Sequence, residues 1–104
     1  MATPEGKVKN NIRKVIEKFG SRIDPFWPVP AGYGESHLDC ILCVAGSFVA
    51  IEVKAPGKKP TPRQKYRIGT TERAGGIALV IDGTDATTTY DQLEKLLQGL
   101  MKHD

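Results

Sequence analysis

The stretch from Phe48 to Ile81 constrains the fold more than any other part of the chain. Residues 48–54 read as a strand and are followed by the loop Pro56 to Pro60. Thr61-Pro62-Arg63-Gln64 then has the form of a capping box, with Thr as N-cap, Pro in the first turn and Gln three residues on. This predicts a helix over 62–73, stopped by Gly75-Gly76. Ile77 to Ile81 follows without a polar residue, the pattern of a strand buried on both faces. Two strands joined through one helix pair in parallel, with a right-handed crossover. An all-helical and an all-β fold are both excluded.

The remaining elements fit around this βαβ unit. Val8, Ile12, Val15, Ile16 and Phe19 fall on one helical face, predicting a helix over 4–19 with Thr3 as cap, Pro4 in its first turn and Gly20 at its end. Residues 21–36 are rich in Pro and Gly and read as loop, with a short edge strand around Phe26-Trp27. Strands are expected over 37–45 and 48–54, joined by a two-residue turn at Gly46-Ser47. Asp82-Gly83 turns the chain, and a last helix runs from Tyr90 to Met101. With 104 residues, no repeat and no linker, the expectation is a single α/β domain over 1–104, a small mixed sheet flanked by helices.

Composition narrows the setting. No apolar run approaches the ~20 residues of a membrane span. The N-terminus has no apolar stretch after its charges, so no secretory signal is expected and a cytoplasmic location is. Two cysteines do not make a disulfide scaffold. The net charge of +3 is unevenly spread: residues 1–73 carry 13 Lys and Arg against 7 Asp and Glu, whereas 74–104 carry 2 against 5. Lys54, Lys58, Lys59, Arg63, Lys65 and Arg67 form a basic run without an acid, which points to a polyanionic partner.

The direction of the carboxylates is more telling. With a turn at Gly46-Ser47, Ile41 opposes Glu52 and Asp39 opposes Lys54, so Asp39, Glu52 and Lys54 share a sheet face, with Glu52 diagonal to Asp39. Two carboxylates side by side in an apolar sheet require compensating cations. Lys54 supplies one charge and a divalent metal would supply the rest. On the first helix, Glu5 lies about 40° from the centre of the apolar face and Glu17 about 155° away, so Glu5 alone can look into the domain. Oxygen donors of this kind suit Mg²⁺ or Mn²⁺.

Asp39 followed by Glu52-Val53-Lys54 resembles the D…ExK core of the PD-(D/E)xK nuclease superfamily. More narrowly, the chain resembles the small stand-alone VRR-NUC nucleases of phages and bacteria. The matching residues are Glu5, Gly32-Tyr33-Gly34 before Leu38-Asp39, Ile51-Glu52-Val53-Lys54, Gly57-Lys58 with Thr61-Pro62-Arg63-Gln64, and Ala74-Gly75-Gly76 before the apolar strand. Leu38 stands where the family pattern has Pro. The resemblance implies a restriction-endonuclease-like αβββαβ core and a metal-dependent endodeoxyribonuclease. Asp39, Glu52 and the Val53 carbonyl would hold Mg²⁺ or Mn²⁺, with Glu5 as a further or water-mediated ligand. Lys54 would orient the attacking water, Gln64 would position water or phosphate, and Lys58, Lys59, Arg63, Lys65 and Arg67 would contact DNA. It further implies a homodimer acting on branched DNA, a four-way (Holliday) junction foremost. The alternatives are a catalytically silent nucleic-acid binding module and a general nicking or repair nuclease.

Other signals are discounted. Cys40 and Cys43 are an odd number of residues apart on a strand and should face opposite ways. His37 reads as a polar strand-edge residue and His103 as a cation at a helix C-terminus. Trp27 is expected to anchor its loop to the core rather than to stack on a base.

Overall fold

A computed structural model describes residues 3–29 and 37–102. The elements are α1 (Pro4–Glu17), a single 3₁₀ turn (Gly20–Arg22), β1 (Ile23–Phe26), β2 (Cys40–Val44), β3 (Ser47–Val53), α2 (Pro62–Arg73), β4 (Ile77–Ile81) and α3 (Tyr90–Met101). The strands form one mixed sheet in the order β1-β2-β3-β4, antiparallel at the first two pairings and parallel between β3 and β4. This is the expected small α/β domain built on a βαβ unit.

One face of the sheet carries the core. Cys40, Leu42 and Val44 from β2, with Val49, Ile51 and Val53 from β3, alternate onto it. Val8, Ile12, Val15 and Ile16 of α1 and Leu93, Leu97 and Met101 of α3 cover it. Thr3 caps α1 by accepting the Gly6 N–H at 3.0 Å, and Thr89 and Gln92 form a capping box at the start of α3. α2 packs on the other face, against β3 and β4, and none of its residues is buried.

Four expectations need correction. α1 ends at Glu17, two residues early, because Gly20, at a φ of 56°, opens the 3₁₀ turn that redirects the chain into β1. The edge strand is Ile23–Phe26 and stops before Trp27; Pro25 is tolerated there because the edge has no second partner. β4 is half-buried over most of its length, and only Ile81 is fully covered. The reason is its place at the sheet edge under a helix that buries little.

The fourth correction concerns the hairpin. Its turn residues are Ala45 and Gly46, both at positive φ (51° and 83°), the signature of a type I′ turn, and Val44 pairs with Ser47. The expected pairing is therefore displaced by two residues. A two-residue slip preserves every side chain's face, so the alternation of apolar residues cannot distinguish the two registers. Continued past the strand ends, the observed register sets Asp39 opposite Glu52 itself, rather than opposite Lys54.

Candidate active site

The site lies where β3 ends and β2 begins. Glu52 is 3% exposed, the Lys54 side chain 13% and the Asp39 side chain 27%, so the three descend from a dry strand toward solvent. Asp39 Oδ2 accepts the Val53 N–H at 2.8 Å, which pins the loop before β2 onto the end of β3. A residue's N–H and C=O point to the same side of an extended strand. The Val53 carbonyl is thereby directed to the side on which Asp39 stands.

Electrostatics mark the site as charge-poor in cations. Burial pushes the Glu52 carboxyl up to about 8; the charge of Asp39 and a hydrogen bond with it push the same way, Lys54 pulls back, and Glu5 adds to the rise. Lys54 Nζ stands 3.7 Å from Glu52 Oε2. Lys9 Nζ lies between Asp39 Oδ1, at 3.9 Å, and Glu5 Oε2, at 4.0 Å. Glu5 is half exposed and joins the site through this lysine and through its charge on Glu52.

Among the described residues no three His, Cys, Asp or Glu side chains form a ready metal cage. What is present is a carboxylate pair beside a backbone carbonyl, open to solvent on one side. Such a donor set fits Mg²⁺ or Mn²⁺, which keep water and take phosphate oxygens alongside one or two carboxylates. A cation there would also relieve the condition that raises Glu52.

The other anticipated residues are placed as follows. Gln64 completes the capping box of α2: its Oε1 accepts the Thr61 N–H at 2.9 Å and its own N–H donates to Thr61 Oγ1 at 3.2 Å. That use leaves the amide Nε2 as the end that can reach a ligand. Lys58, Lys59, Arg63 and Lys65 are exposed on the loop after β3 and the first turn of α2. Arg67 is half-buried and lines a hollow of about 340 Å³ with Phe48, Thr70, Thr71, Ala74 and Gly76. Phe48 and Glu52 are separated by about 13 Å of strand, so the hollow belongs to the far end of the sheet. Cys40 is buried on the core face, its thiol pushed up to about 12 chiefly by burial, while Cys43 is exposed, so the two do face opposite ways. His37 is exposed. Gly32-Tyr33-Gly34 and His103 lie outside the described residues.

Two features escaped the sequence reading. Asp82, 2% exposed, holds the loops around the site: Oδ2 accepts the Gly57 N–H at 3.2 Å, and Oδ1 accepts the Thr84 N–H at 2.8 Å and the hydroxyls of Thr84 and Thr87 at 2.6 and 2.9 Å. Its sequence signal was an acid with two threonines within five residues, at the end of an apolar strand. The second is the pair Arg13 and Trp27, with the guanidinium carbon 4.3 Å from the ring centroid. Nothing in the local sequence marks that pair, although Glu5, Lys9 and Arg13 do follow the i, i+4, i+8 spacing of one helical ridge.

No protein-family model and no curated protein matches this chain. Among solved structures, one described as a VRR_NUC domain superposes with a TM-score of 0.68 at 22% sequence identity, covering 93% of this chain and 97% of that one.

Proposed function

The fold is that of a VRR-NUC domain, and we propose that the chain is a metal-dependent endodeoxyribonuclease of that kind. The observation that carries this reading is the Asp39–Glu52 pair, Glu52 buried and Asp39 partly buried, with Lys54 beside it, at the solvent-facing end of the sheet. A pure binding module gains nothing from two acids held side by side, one of them buried. That placement raises the free energy of the site until a cation arrives.

Asp39, Glu52 and the Val53 carbonyl would hold Mg²⁺ or Mn²⁺, with Glu5 as a further or water-mediated ligand. When bound, the ion would polarise the scissile phosphate and lower the pKa of a water. Lys54, which stands beside Glu52, would orient the attacking water and offer its charge to the developing negative oxygen. The Asp39 bond to the Val53 N–H fixes one ligand relative to another. Gln64 Nε2 orients water or a phosphate oxygen. The exposed Lys58, Lys59, Arg63 and Lys65 draw the DNA backbone in without reading bases, whereas Arg67, in the hollow toward the far end of the sheet, stands apart from them.

Branched DNA is the substrate class we favour, a four-way (Holliday) junction first. One such site cuts one strand, and resolving a junction takes two cuts related by a two-fold axis, which a homodimer supplies. Recognition by shape also suits a chain whose basic residues meet phosphates. Labelled duplex, flap, single-stranded and four-way DNA, each with Mg²⁺, Mn²⁺ or EDTA, test the proposal together with light scattering. Metal-dependent paired cuts on the junction by a dimer are expected. A monomer that nicks duplex equally fast would support a general nicking nuclease, and binding without cleavage in any metal would support a silent binding module.

A further inference from the structure

The C-terminal end of β3 lies in the middle of a row. At this end of the sheet, β1 runs out into Trp27, β2 begins after Asp39, β3 ends at Glu52 to Lys54, and β4 ends at Asp82, which holds Gly57 of the basic loop. Neighbouring strands are about 4.8 Å apart, so the row from β1 to β4 spans about 14 Å. Lys58 and Lys59 stand on the β4 side of the carboxylates. The β1 side has cations of its own. Glu5, Lys9 and Arg13 follow one another at four-residue spacing along one ridge of α1. Lys9 pairs with Asp39 at 3.9 Å, and the Arg13 guanidinium sits over the Trp27 ring. Phe26 pairs with Ile41, so Trp27 follows on beside Cys40, and the guanidinium over its ring lies near the start of β2.

The arrangement at Arg13 has the features of a phosphate contact. Trp27 packs against the core, so its outer face is a fixed platform. A guanidinium stacked on that face keeps its in-plane N–H groups available, and it loses little freedom on accepting a bidentate partner. Asn10 Oδ1 accepts one of those N–H groups from Arg13 Nη1 at a long 3.5 Å. Arg13 is exposed and forms no carboxylate ion pair among those described, unlike Lys18, which is held by Glu94 at 2.6 Å on the opposite flank of α1.

From this juxtaposition we infer that Lys9 and the Trp27-stacked Arg13 form a second phosphate-binding surface. It receives the nucleic-acid backbone on the β1 side of the scissile position, while Lys58 and Lys59 receive it on the β4 side. The inference rests on the nuclease reading, because it takes a polynucleotide crossing the sheet end as the ligand. Trp27 is then neither a plain core anchor nor a base-stacking residue. It is the platform that holds an arginine.

The test is binding of a fluorescein-labelled duplex in EDTA, followed by anisotropy over a range of KCl. Arg13→Gln is expected to weaken binding several-fold and to lower the log–log salt slope by about 1. Arg13→Lys, which keeps the charge and loses the stack, should fall between. Trp27→Leu should reproduce the Arg13→Gln loss, with circular dichroism and thermal melting confirming that it folds. A second measurement locates the contact. When the oligonucleotide is shortened on one flank of the cut site, cleavage by Arg13→Gln and by wild type should converge, whereas the Lys58/Lys59 double alanine variant should stay impaired. An unchanged slope for Arg13→Gln, alongside a reduced slope for the lysine variant, would overturn the inference and leave the nuclease reading intact. Wild-type protein that binds no DNA would overturn both.

Discussion

Glu52 and Asp82 are the two polar or charged side chains buried among the described residues, 3% and 2% exposed, at the same end of adjacent parallel strands. Their chemistry is opposite. Asp82 accepts two backbone N–H groups and two hydroxyls, and those bonds hold its carboxyl down at about 2 despite burial. Glu52 faces a second carboxylate and one lysine, and its carboxyl is pushed up to about 8. Equal burial therefore does not mean an equal role. A carboxylate wrapped in donors is complete and serves the fold; one left short of positive charge is, on the function proposed above, the place for a cation.

Substitution should separate the two. Glu52→Gln is expected to lower metal-dependent cleavage by about a thousandfold, the scale of losing a principal transition-state contact. The folded state and much of the DNA affinity should be retained. Asp39→Asn and Lys54→Ala should behave alike in the same gel assay, and Glu17→Ala, on the solvent side of α1, should leave the rate unchanged. Asp82→Ala reverses the pattern: loss of a buried acceptor for four donors should cost about 3 kcal/mol of stability. Its melting temperature should fall by more than about 10 °C, as calorimetry would show, while cleavage at low temperature should drop less than for Glu52→Gln.

The same contrast sets two opposite pH dependences. Asp82 has its folded pKa below the ordinary 3.8, so its stabilisation is present above about pH 4 and is lost as pH falls toward 2. Glu52 has its folded pKa raised from 4.5 to about 8, so the native state holds the proton more tightly across that window. Its contribution is fully present below pH 4.5 and is lost as pH rises through 8. In denaturant titrations without metal, Glu52→Gln should abolish the decline in stability between these limits. Asp82→Asn should instead flatten the acid limb. The smallest expected effect lies outside the pair: alanine at Lys58 and Lys59 should each lower the salt slope of DNA binding by about 1, with no change in melting temperature.

How much of this was legible in the sequence differs between the two acids. Glu52 was readable because its place in the alternation of β3 fixes its face, and Lys54, two residues on, follows it. Its partner was assigned correctly but at the wrong offset. Face is set by parity and register by the turn, and Gly46 takes the second turn position rather than the first, behind an alanine at positive φ. The βαβ unit was legible because the Thr61 capping box and Gly75-Gly76 bound α2 on both sides. The half-buried state of β4 was not, since an apolar run reads alike whether or not a helix covers it fully. Asp82 was hidden for a different reason. Its donors come from Gly57 and from Thr84 and Thr87, and a short turn sequence does not announce that its carboxylate will gather a loop from another part of the chain. Arg13 of α1 meets Trp27, the residue after β1, a tertiary contact with no local signature.

The central claim is that the incompleteness of Glu52 marks a cation site, and calorimetric titration of the metal-free protein with Mn²⁺ tests it most directly. At pH 7, below the value of about 8 for Glu52, binding must displace a proton. The account predicts saturable binding of one ion per chain, with proton uptake by the buffer, tightening as pH rises to 8. Both should vanish in Glu52→Gln and persist in Asp82→Asn. Saturable binding that survives Glu52→Gln, or no binding by the wild type at millimolar Mn²⁺, would contradict it.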